Sequence, residues 1–135
     1  SAQWTYSDTK NFLDFLTSHH SEMGEGFSFK TRAFNAAAEH MAQLTTVGGV
    51  KDAAACRSKW QECKKKFNAI GKIKAKSGWG PWSNEHGAGI TALTAESWEN
   101  FVKKNAAAKP FQNRGWDFLH QVKAIMPFQV TGMNV

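Results

Sequence analysis

The chain has 135 residues, among them ten Phe and six Trp, and a formal net charge of +6. That length suffices for a sizeable core, and the aromatic content argues against disorder. No run of 18 apolar residues occurs, which excludes a membrane-spanning helix, and two cysteines are too few for a disulfide scaffold.

The opening residues SAQWTYSDTK carry neither a charged n-region nor an apolar h-region, so no secretory leader is expected from them. Ser7 is a suitable N-cap for a first helix running to about His20, with Phe12, Phe15, Leu16 and His19 on one face. The loop SEMGEGFS follows, broken by glycines at 24 and 26. Ser28 is placed to cap a second helix, FKTRAFNAAAEHMAQL, with an apolar stripe of Phe34, Ala37, Ala38 and Met41. TTVGGV then breaks the chain before a third helix capped by Asp52.

The third helix sorts into two faces. With Trp60 as zero, Ala53, Cys56, Cys63, Phe67 and Ile70 lie between about +20° and −80°, a core stripe. Ala54, Ser58, Gln61, Lys65, Asn68 and Lys72 lie between about +80° and +160°, with Arg57 beside them at about +60°. That second face is polar, mostly basic and free of acids. Gly71 is expected to end or bend the helix, because Lys74 would otherwise point into the core stripe.

Next, SGWGPWSNEHGAGIT predicts a short β-hairpin turning around residues 84–87. Thr91 or Thr94 caps a fourth helix to about Lys104 that buries Trp98, Phe101 and Val102. AAAKPFQNRG is a connector stopped by Pro110. A fifth helix over residues 116–126 presents Trp116, Leu119, Val122 and Met126 and ends at Pro127, leaving a tail over 128–135 that frays. Trp79, Trp82, Trp98, Phe101, Phe111 and Trp116 form a second aromatic cluster that braces the third helix.

The basic excess is concentrated. Residues 51–76 hold nine Lys or Arg and two acids, a net of +7, so the rest of the chain sums to −1. Enzymatic alternatives lack their signatures. The Cys56-x6-Cys63 spacing is not a zinc pattern, and the five histidines are scattered at 19, 20, 40, 86 and 120. Seven residues of helix separate the thiols by about 10.5 Å, too far for a disulfide. Both lie on the stripe with Trp60, where thiols are buried and inert. No phosphate-binding loop and no paired carboxylates occur, so neither catalysis nor a cofactor is expected. Arg, Ser, Gln and Asn among the lysines of one helical face are groups that hydrogen-bond base edges, and such a helix fits the major groove of DNA.

At these residues the chain resembles the Myb/SANT fold. Trp4 before the first helix, Phe34 in the second and CRSKW in the third match its pattern of one aromatic per helix, around a helix-turn-helix variant. The fuller likeness is to the Myb/SANT-like DNA-binding domain of plant and fungal proteins, related to accessory proteins of Harbinger-type transposons. GEGFSFK, KWQECKKKFNAI, SGWGPW, TALTAESW and AAAKPFQNRGW carry it in order over residues 4–127. The resemblance implies a mainly α fold: a trihelical core over 4–76 and an aromatic-rich extension over 77–127, of about two helices with the short β-hairpin, as one domain over 1–127. It implies a nuclear module that binds double-stranded DNA through the third helix, in transcription regulation or transposon-end recognition, with a transposase or chromatin protein as a further partner. Carried over relative to Trp60, the base-contacting positions fall on Ala54, Arg57, Ser58 and Gln61. Lys51, Lys64, Lys65 and Lys72 are then expected at phosphates, with Lys30 and Arg32 bracing the backbone from the second helix. The alternative is a SANT-type module that binds a histone tail or partner subunit, but such modules favour an acidic or apolar third-helix face.

Overall fold

The computed structural model describes residues 2–20, 29–44 and 48–126. It is mainly helical. Helix α1 is Tyr6–Ser18, α2 Thr31–Leu44, α3 Ala53–Ala75, α4 Ala95–Lys104 and α5 Leu119–Ile125, with 3-10 segments at Ala92–Thr94 and Ala106–Phe111. No strand occurs among the described residues, and the expected hairpin is reduced to an antiparallel bridge between Ser83 and Gly87. The Ser28 cap, the loop over 21–28, residues 45–47, Pro127 and the tail lie outside the described residues. The chain divides into two compact units, residues 1–61 with 120–135, and residues 62–119. Helix α3 runs through the division.

In the first unit, α1 is capped by Thr5 rather than Ser7. The Thr5 hydroxyl accepts from the Asp8 N–H at 3.0 Å, and the Asp8 carboxylate accepts from the Thr5 N–H at 3.1 Å. This reciprocal box satisfies two donors that a cap at Ser7 would leave open. Phe12, Leu13 and Leu16 of α1, Phe34, Ala37 and Met41 of α2, Cys56 and Trp60 of α3, and Val122 and Ile125 of α5 are at most 1% exposed. Leu13 takes the place expected of Phe15 and His19, which stack on each other half-buried at 3.9 Å. The aromatic from α1 in this core is Phe12, and Trp4 lies half-buried against it at 5.2 Å. Buried Phe29 stands edge-on to both Phe34, at 5.9 Å, and Trp60, at 5.5 Å. Helix α5 begins three residues later than expected and is tied to α1 and to His20, two residues beyond the end of α1. His20 Nε2 donates to the Ile125 carbonyl at 2.7 Å, and Gln121 donates to Asp14 at 2.7 Å.

The second unit is built on the expected aromatic cluster. Trp79, Trp98 and Phe111 are buried with Ala69, Ile70 and Ile73 of α3, and Trp82, Phe101 and Trp116 pack against them. Trp79 is central: its ring meets Trp98 at 5.2 Å and Phe101 at 5.0 Å, and its indole N–H donates to Ser97 at 3.1 Å. Pro110 does not stop the connector but lies within the 3-10 segment. At its two ends the Ala108 N–H donates to Asn105 and the Gln112 N–H to Lys109, and neither bond uses the nitrogen of Pro110. Asn84 clasps Trp116, donating to its carbonyl at 3.0 Å and accepting from its N–H at 2.9 Å. The approach is so close that any Cβ at Gly115 would collide with Asn84.

Helix α3 continues through Gly71 to Ala75. A Cβ at Gly71 would meet nothing within 4 Å, and no bend is required there. Lys74 is exposed because the buried face rotates. Cys56, Trp60 and Cys63 centre near about −30°, whereas Ala69, Ile70 and Ile73 centre near about −130°, leaving Lys74 at about −40° outside the second core.

Candidate nucleic-acid interface

Asp52 starts α3, its carboxylate accepting from the Ala55 N–H at 2.8 Å. From that start, the register sends Cys56, Trp60 and Cys63 inward. Neither cysteine is in a disulfide. Burial, reinforced by the Asp52 charge, pushes the Cys56 thiol up to about 12, so it stays protonated and unreactive near neutral pH. Among the described residues no three His, Cys, Asp or Glu gather as a metal would require, and no helix is long and apolar enough to cross a membrane.

The opposite face is open along the whole helix. Ala54, Arg57, Ser58 and Gln61 in the first unit's part of α3 are exposed, as are Lys65, Asn68 and Lys72 in the second unit's part. Helix α3 itself carries no carboxylate on that face. The nearest acid on α3, Glu62, is turned away and pairs with Lys66 at 3.0 Å. Lys64 sits on the flank, half-buried, and burial lowers its pKa. Lys30 and Arg32 are exposed where α2 begins.

Lys51 does not match its expected place at a phosphate. It is 2% exposed. Its ammonium lies 3.4 Å from the Asp8 carboxylate and donates to the Gly48 and Gly49 carbonyls at 3.2 Å each. A charge held by three internal partners is a structural pin between the α1 cap and the turn before α3. Gln3 N–H donates to the Gly48 carbonyl at 2.6 Å, and Trp4 lies under both Lys51 and Lys59, at 5.8 and 5.6 Å from its ring centre. Lys66 is likewise engaged, by Glu62 and over Trp116 at 5.8 Å.

Arg57 is exposed yet held. Its Nη2 donates to the Thr31 hydroxyl at 3.0 Å, and its guanidinium carbon lies 4.8 Å from the Phe34 ring centre. Thr31 escaped the sequence reading. Only its position between Lys30 and Arg32 draws notice, and no spacing rule links it to α3.

The family model of the Myb/SANT-like DNA-binding domain matches residues 1–101, well over half of the chain. Neither a curated protein nor a solved structure matches it.

Proposed function

Because the chain belongs to the Myb/SANT-like DNA-binding domain family, we propose that it binds double-stranded DNA by laying the open face of α3 in the major groove. Arg57, Ser58 and Gln61 face base edges in this reading, and Ala54 offers its methyl to a thymine. Lys64, Lys65, Lys72, Lys30 and Arg32 contact phosphates, and Lys51 is withdrawn from that set. The observation that carries the reading is the exposure of Ala54, Arg57, Ser58, Gln61, Lys65, Asn68 and Lys72, on a polar face of α3 without an acid, while Cys56, Trp60, Cys63 and Ile70 are buried. The setting, a nuclear protein in transcription regulation or transposon-end recognition with a transposase or chromatin partner, is supported by the likeness of its motifs to the plant and fungal domain and its transposon relatives.

A salt titration tests the reading. Five phosphate contacts give a slope of log K against log salt of about −4 to −5. Lys65→Ala weakens all duplexes alike and reduces that slope by about 1. Gln61→Ala instead loses roughly 1–3 kcal/mol of discrimination at particular base pairs. A flat slope, or no duplex binding at low salt, overturns the proposal and favours a SANT-type protein-interaction module.

A further inference from the structure

We infer that Thr31 is a positioning residue, which with Phe34 holds Arg57 in the pose that reads a guanine. The inference rests on α3 being the element that meets DNA. An arginine on an exposed helical face has several freely turning bonds and reaches phosphate as easily as a base. Contact with phosphate gives affinity without selectivity, so a specific reader has to be kept from swinging.

Two groups from α2 restrain it here. Thr31 is the first residue of that helix, and its hydroxyl takes one guanidinium N–H at 3.0 Å. Phe34 stands three residues on, on the same side of α2, and is 1% exposed, so its ring is an immobile platform. The guanidinium carbon lies over that ring, 4.8 Å from its centre. One hydrogen bond and one cation–π contact together restrict the reach of the side chain. Of the five guanidinium N–H groups, only one is used by Thr31. A fork of two donors, as guanine N7 and O6 require, is left for the groove. All three residues belong to the first unit.

The test measures binding to a duplex recovered from a random library and to its single-base-pair variants, for the wild-type chain, Thr31→Val, Thr31→Ser, Arg57→Ala and the double variant. Thr31→Val is expected to lower the preference at one guanine about fivefold, the equivalent of one neutral hydrogen bond. Its thermal midpoint and its affinity for unrelated duplexes stay unchanged, and Thr31→Ser restores the preference. Added to Arg57→Ala, Thr31→Val costs no further selectivity. If Arg57→Ala loses the preference while Thr31→Val keeps it, the positioning role is overturned and the reading of α3 stands. A loss from Thr31→Val that persists in the Arg57→Ala background overturns it too. If neither variant changes selectivity, Arg57 does not read a base and the positioning role falls with that assignment, while the salt slope alone decides whether α3 meets DNA.

Discussion

Lys51 shows how little a lysine's place in a charge run says about its role. It opens the basic stretch in sequence, yet its ammonium faces Asp8 inside the fold. The partner lies in α1, and no local pattern couples the two, so periodicity could not have found the pair. Removing Asp8 strands a buried cation. Asp8→Ala is expected to cost about 3–5 kcal/mol in urea denaturation. Lys51→Met, by contrast, leaves the salt slope of DNA binding unchanged, because this lysine does not reach phosphate. The carboxylates set an acid limit as well. Burial alone raises the Asp8 pKa, but the Thr5 N–H and Lys51 outweigh it and hold it below its ordinary 3.8. Hydrogen bonds from Lys10 and Gln121 lower Asp14 likewise. With folded pKa values depressed, the unfolded chain binds more protons as the medium acidifies. The stability these groups add is complete above about pH 4–5 and is lost as pH falls toward the folded values. Denaturation midpoints measured through that window fall with pH, and fall less steeply for Asp14→Asn.

Helix α3 was readable from sequence in its first half and misread in its last turns. Cys56, Trp60 and Cys63 follow one stripe, and a single period captures them. From Ala69 on the helix buries Ala69, Ile70 and Ile73, and a constant period carried on from Trp60 mistakes the exposed Lys74 for an inward residue. The same mistake made Gly71 look like a terminus. Ala54, Arg57, Ser58 and Gln61, chosen by their place relative to Trp60, are all exposed. Trp60 locates Arg57 within α3, whereas Thr31, whose hydroxyl accepts from Arg57, belongs to α2 and is seen only in the fold. Trp60 anchors the first half. Trp60→Ala is expected to cost about 3–5 kcal/mol. Trp60→Phe costs less, since its buried indole N–H has no acceptor among the described residues, and an unmet donor itself costs about 1–3 kcal/mol. Equal losses from the two variants in denaturant would contradict this account.

The family match covers less of the chain than the packing needs. The family match stops at residue 101, whereas the first unit is completed by Val122 and Ile125, both fully buried. The second unit requires Phe111 and the Asn84–Trp116 clasp. A chain ended at residue 101 therefore lacks part of each core. It is expected to melt without a cooperative transition in far-ultraviolet circular dichroism, while the chain carried to residue 126 melts cooperatively. The sequence reading placed the fifth helix with the extension, because nothing in its pattern pointed to α1. Contacts such as His20 with Ile125 join residues too distant in the chain for any periodic rule.

The buried indole N–H of Trp60 has a spectroscopic consequence. Trp60 keeps its indole proton inside the first core with no acceptor among the described residues, while Trp79 in the second shares its own with Ser97. An unbonded indole proton resonates upfield of a bonded one, and a buried one exchanges with solvent only when its surroundings open. Two side-chain signals in a single proton–nitrogen spectrum thus report on the two units separately, and the order in which they vanish in heavy water ranks the units by how readily each one opens.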